Sequence, residues 1–189
     1  MINLRYETFD CNIHDVSKVA KLVYDVDFRT FDMLFKDESK AVETIARDLY
    51  KRDKDDYFKV VLDDYGEIIG ILIIYTSKTS HNLYLKSPRL VIVDILDHFV
   101  LCDIEKEDFY IAEIAIDESL RGQGIGRKVL LDSIDYAKRK GYERVILDAD
   151  FRNSGAKALY ENLGFKVFNK KRLKIGKFER GMYNLEFKL

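Results

Sequence analysis

The sequence predicts a mixed α/β fold, with one central mixed sheet of six or seven strands and helices on both faces. Three observations predict it. From residue 109 onward the hydrophobic pattern runs strand, turn, helix, strand, helix, strand, strand. A glycine-rich stretch, Arg121-Gly122-Gln123-Gly124-Ile125-Gly126, separates an apolar strand pattern from an amphipathic helix pattern. Earlier, two apolar segments at about 57–63 and 67–76 meet at Asp63-Asp64-Tyr65-Gly66, a hairpin turn.

Taken in order, residues 2–9 alternate (Ile2, Leu4, Tyr6, then Phe9) and read as an edge strand. Asp15 or a neighbour caps a helix to about Tyr24, with Val16, Val19, Ala20 and Val23 on one face. Glu38 to Arg52 reads as a second helix through Val42, Ile45, Ala46 and Leu49. The charge run Lys51-Arg52-Asp53-Lys54-Asp55-Asp56 reads as a solvated turn. Residues 77–108 carry the weakest pattern; a helix is placed over Leu90 to Val100 on the stripe Val93, Leu96, Asp97, Val100. Phe109 to Ile116 is a strand, and Ile125 to Lys140 a helix burying Ile125, Val129, Leu130, Ile134 and Ala137. Lys138-Arg139-Lys140 complement its dipole and Gly141 supplies its left-handed cap. A strand follows at 145–150. Asn153 or Ser154 then caps a helix that Gly164 ends, with Phe165 placed for the hydrophobic contact of such caps. Two final strands are expected at about 165–172 and 178–188.

Length and composition narrow the class. The chain has 189 residues, enough for one domain with a sizeable core, and 1–189 reads as a single domain. It is 47% hydrophobic and 34% charged, which suits a soluble globular protein. A net charge of −1 gives no global reason to expect nucleic-acid binding. Neither a membrane span nor a leader pattern is visible, and Cys11, Cys102, His14, His81 and His98 match no metal spacing. A reduced, cytoplasmic setting is the default expectation, with a monomer or homodimer as the assembly.

A glycine-rich turn that opens a helix presents unpaired N–H groups and the positive end of the helix dipole, a combination that binds phosphate or pyrophosphate. Gly124 and Gly126 are expected to allow close approach and dihedrals closed to other residues. Arg121 adds a charged fork for phosphate oxygens. The stretch lacks the Gly-Lys-Ser/Thr ending of a nucleoside-triphosphate loop. Its glycines at 122, 124 and 126 do not match the dinucleotide spacing either. Taken by itself, it could also be a strand-to-helix turn with no ligand.

Downstream stand Asn153 and then Ala158-Leu159-Tyr160-Glu161-Asn162-Leu163-Gly164-Phe165. With Arg-x-x-Gly-x-Gly at 121–126, in this order and separated by a helix and a strand, the chain resembles the GNAT superfamily of acetyl-CoA-dependent N-acetyltransferases. The resemblance covers about residues 108–168. It implies a GNAT-like, largely antiparallel sheet and acetyl-CoA as the cofactor. The pyrophosphate would lie on Arg121, Gly122, Gln123, Gly124, Ile125, Gly126 and Arg127. The pantetheine arm would run along Ile114-Ala115-Ile116, in a slot made by a splay between this strand and the one at 145–150. A backbone N–H near Ile114 would serve as the oxyanion donor, a contribution of about 3 kcal/mol. Asn153 would bind the pantetheine amide, with a plain helix cap as the other, compatible reading.

Tyr160 is the expected general acid for the departing thiolate, against the reading of a core tyrosine. A primary amine of pKa near 10 needs help losing its proton. Glu113, on the strand before the turn, and Asp148, on the next, are the two candidate bases. Glu113 could instead face solvent from the sheet, Asp148 could pair with a nearby arginine, and ordered water could replace either. The acceptor would be an amine: a protein N-terminus, a lysine or a small metabolite. Its site would be built from about 14–52 and 77–108, where Tyr24 to Asp32 mixes acidic and aromatic residues suited to a cation. That stretch could equally be a connection between helices. Lys166 to Arg180 carries seven basic residues and one acid, either a solvated strand pair or an attractor of the cofactor's phosphates. Two other readings compete: a non-catalytic acyl-CoA sensor or scaffold, and a nucleotide-binding domain resting on the glycine turn alone.

Overall fold

The computed structural model describes residues 3–51, 56–78, 98–176 and 178–189. The helix expected over Leu90 to Val100 falls almost wholly on 79–97, outside the described residues, as does part of the charge run at 51–56. The strands are β1 (Arg5–Thr8), β2 (Phe58–Leu62), β3 (Ile68–Thr76), β4 (Asp108–Ile116), β5 (Arg144–Asp150), β6 (Lys166–Ile175) and β7 (Phe178–Lys188). They form one mostly antiparallel open sheet in the order β1-β2-β3-β4-β5-β7-β6. Five α-helices occur among the described residues: α1 (Val16–Val26), α2 (Phe28–Phe35), α3 (Glu38–Leu49), α4 (Ile125–Lys140) and α5 (Ser154–Asn162).

The chain divides into two compact units. The first takes the described residues of 3–74 and 113–129; the second takes those of 75–78, 98–112 and 130–189.

In the first unit, β1 pairs antiparallel with β2, Arg5 opposite Leu62, and β2 with β3. Asp63 makes the β2–β3 turn: its Oδ1 accepts from the backbones of Tyr65 and Glu67, both at 2.9 Å, and Gly66 takes φ +86°. Asp15 caps α1 by accepting from Ser17 and Lys18 N–H, as expected. Val16, Val19 and Ala20 are buried, but Leu22 and Tyr24 join them while Val23 is only half-buried. Helix α1 buries this wider face because α3 and α2 both pack against it. Helix α3, capped by Asp37, buries Ala41, Ile45 and Leu49 at four-residue spacing and ends at Leu49 rather than Arg52. The sequence pattern did not give α2. Phe31 and Phe35 anchor it, and Lys36 closes it in the left-handed region at φ 56°.

In the second unit, β4 and β5 run parallel, from Asp108 opposite Arg144 to Ile111 opposite Leu147. Beyond that register β4 continues to Ile116 and β5 to Asp150. β5 pairs antiparallel with β7, and β7 with β6. The core is Phe109, Ile111, Val145, Ile146, Leu147 and Leu185. Arg144 grips Asp108 with Nε–Oδ1 at 2.5 Å and Nη2–Oδ2 at 3.0 Å, and its Nη1 lies 3.0 Å from Glu186. Helix α4 ends as expected: Gly141 N–H donates to Lys138 and Tyr142 N–H to Ala137. Helix α5 ends the same way, with Gly164 donating to Glu161 and Phe165 to Tyr160. The Tyr160 and Phe165 rings, 6.1 Å apart, make the accompanying contact.

Candidate active site

In the first unit the site residues lie on the end of β4 and the turn into α4. Glu113 is half-buried with Oε2 enclosed, Ile114 is half-buried, and Ala115 and Ile116 are buried. β3 approaches this end closely: a Cβ on Gly70 would stand 2.5 Å from the Ala115 carbonyl oxygen. Asp117 N–H donates to Ile69 O at 2.9 Å and ends the strand. The Asp117 carboxylate accepts from Ser119 N–H and Oγ at 3.0 and 2.6 Å, which holds its pKa below the usual value. It thereby caps the single 3-10 turn Glu118–Leu120.

Gly122 and Gly124 have φ +79° and +80°, and no atom lies within 4 Å of a Cβ at either. Gly126 differs from expectation. It is a helical residue of α4, and a Cβ there would meet Ile116 Cγ1 at an ordinary 3.8 Å. The left-handed positions are therefore 122 and 124, because the chain must reverse before α4 begins, whereas 126 already follows the helix. Gly124 O accepts from Lys128 N–H, which makes Gly124 the N-cap and leaves the amides of Ile125, Gly126 and Arg127 as the first-turn donors. The first turn of α4 contains no acid, and Gln123 and Arg127 are exposed. Open space at the two glycines, first-turn donors and no acid in that turn fit a pyrophosphate. Arg121 is engaged elsewhere: Nε donates to Ile116 O at 3.1 Å, and Nη2 stands 3.6 Å from Asp25.

In the second unit Asp148 is the centre of a buried polar cluster. Its Oδ2 accepts from Tyr110 OH at 2.8 Å and Cys102 N–H at 3.0 Å. Its Oδ1 accepts from Cys102 Sγ at 3.2 Å and from the Asn184 side-chain amide. The arginine partner considered for Asp148 is not what the structure provides; neutral donors surround it. Burial raises its pKa, and the four hydrogen bonds oppose that rise. Burial, and after it the same carboxylate, push the Cys102 thiol well above its usual range. No local pattern marks this cluster, since Cys102, Tyr110 and Asn184 lie 46, 38 and 36 residues from Asp148.

Asn153 caps α5, its Oδ1 accepting from Ala156 N–H at 3.0 Å. Tyr160 is half-buried on that helix, and its hydroxyl makes no hydrogen bond among the described residues. Burial, with the charge of Asp148 added, pushes its pKa up to about 12, so the phenol keeps its proton across the physiological range. Among the described residues no helix is long and apolar enough to cross a membrane.

Comparison with known proteins gives the same class of protein. The family model described as Acetyltransferase (GNAT) family matches residues 21–165, and the chain belongs to that family. It is 30% identical over 146 residues to an uncharacterised N-acetyltransferase of Methanocaldococcus jannaschii, covering 74% of this chain and 51% of that protein. It is 36% identical over 77 residues to N-alpha-acetyltransferase 30 of Schizosaccharomyces pombe, covering 36% of this chain and 51% of the other. The chain thus spans about half the length of these curated relatives. Among solved structures, a Bacillus subtilis acetyltransferase in complex with CoA superposes with a TM-score of 0.59 at 16% identity, covering 99% of both chains.

Proposed function

We propose that this chain is an N-acetyltransferase that moves an acetyl group from acetyl-CoA to a primary amine by direct attack in a ternary complex. The observation that carries the reading is the turn before α4. Two left-handed glycines with open space around them stand before a helical first turn that has donors and no acid. Family membership supports acetyl transfer in general.

When bound, acetyl-CoA supplies the activated thioester and the thiol leaving group. The amides of residues 122–127 would hold the pyrophosphate, and the β4 backbone at Ile114, Ala115 and Ile116 would pair with the pantetheine arm. An N–H near Ile114 would be the donor for the thioester carbonyl oxygen. Asn153 keeps capping α5 while its amide contacts the arm. Tyr160, which keeps its phenolic proton, would supply it to the leaving thiol group. Glu113 takes the amine's proton, because Asp148 already accepts from four donors and has little capacity left. Asp148 then acts through position, holding the β5 end and residues around Cys102.

The test is initial-rate acetylation of a panel of amines with acetyl-CoA. Wild type is expected to turn over at least one amine, and Tyr160→Phe to lower kcat by about 10²-fold with acetyl-CoA binding retained. Tight acetyl-CoA binding, no transfer to any amine and no effect of Tyr160→Phe would instead make the chain an acyl-CoA sensor.

A further inference from the structure

The first unit contains an open pocket of about 360 Å3 beside the C-terminal half of α1. An ammonium is already recognised in its wall. Lys21 Nζ lies 2.5 Å from Asp25 and 3.0 Å from Glu38, and 4.9 Å from the centre of the Tyr24 ring. Two further carboxylates, Asp32 and Glu118, line the same space. Asp32 accepts the Tyr24 hydroxyl at 2.6 Å, and neither Asp32 nor Glu118 has a cationic partner among the described residues. The other cation, Arg121, is held by Asp25. Four carboxylates thus face two cations, and the half-exposed ring of Phe28 completes the lining.

We infer that this pocket receives an alkylammonium group of the acceptor, a second positive charge apart from the amine that is acetylated. The inference rests on the acetyltransferase reading above and supplies its substrate class. Two carboxylates with no cationic partner among the described residues, in a mostly charged lining with an aromatic face, complement a compact cation. The pocket is tied to the cofactor end of β4, because Arg121 in its wall donates to the Ile116 carbonyl. A free di- or polyamine and a lysine side chain of a peptide both carry this chemistry.

The experiment compares matched acceptors at saturating acetyl-CoA: pentylamine against 1,5-diaminopentane, and a peptide with lysine beside its N-terminus against the norleucine peptide. In at least one pair, the member with the second charge is expected to have a kcat/KM higher by roughly tenfold, the scale of two partly exposed ion pairs and a ring contact. Which pair responds separates a polyamine from a peptide source. In the double variant Asp32→Asn, Glu118→Gln that ratio is expected to fall toward one, through KM. Turnover with no preference in either pair would overturn the inference and leave the acetyltransferase standing. Turnover with no amine at all, and no binding of 1,5-diaminopentane by calorimetry, would overturn both. A preference that survives the double variant would place the cation elsewhere.

Discussion

Asp148 shows how much one buried carboxylate can organise. It satisfies a tyrosine hydroxyl, a backbone N–H, an asparagine amide and a thiol at once. Asp148→Ala strands those donors without an acceptor, and is expected to cost about 3 kcal/mol in urea unfolding at neutral pH. The pH dependence has a definite sign. Because the folded-state pKa of Asp148 is raised, its contribution is greatest below the unfolded value of about 4 and declines as pH rises through the folded value. The gap between wild type and Asp148→Ala should therefore narrow from acid toward neutral pH; a gap that widens would contradict the assignment. At this scale the sequence is legible where a local spacing imposes structure: Asn153 caps α5 as its pattern predicts, and Tyr160 lies on that helix. The partners of Asp148 come from distant strands and a loop, so no local pattern announces them. Gly126 differs from its expected role because spacing alone does not say which glycine of three precedes the helix and which lies inside it.

At the scale of elements, the helices closed by a glycine are the ones whose ends the sequence marks best. α4 was placed from Ile125 to Lys140 because a glycine turn precedes it, an apolar stripe runs through it and Gly141 closes it. α5 was read from Asn153 and Gly164 in the same way. α2 has eight residues, no side-chain cap and one exposed phenylalanine, so its acids and rings looked like a connecting segment. The strands of the second unit are pinned by a polar clamp that pattern reading does not reveal. Arg144 joins β4, β5 and β7 through Asp108 and Glu186, and Asp108 is almost wholly enclosed. Arg144→Ala leaves that carboxylate buried without its cation, and is expected to destabilise the fold by about 3 kcal/mol, read as a lower urea midpoint. Replacing Asp108 and Arg144 together by apolar residues of similar volume should recover much of the loss. Equal losses in the single and double variants would show that packing, rather than the stranded charge, sets the cost.

At the scale of the molecule, the class of fold and the number of strands followed from periodicity, but the strand order did not. β7 lies between β5 and β6, so the last strand of the chain is interior and the one before it forms the edge. Only long-range pairing decides that, and it places the basic strand β6 at the sheet's border. The turn at 122–127 is proposed to hold the pyrophosphate of acetyl-CoA. The direct measurement is acetyl-CoA binding by calorimetry to wild type and to Gly124→Glu, with thermal melts confirming that both are folded. At φ +80° with open space around it, position 124 would present the new carboxylate beside the first-turn amides, where it repels phosphate. Micromolar binding by wild type is expected, with a loss of at least tenfold in the folded variant, roughly the effect of one misplaced charge. Equal binding by both proteins, or no binding by the wild type, would contradict it.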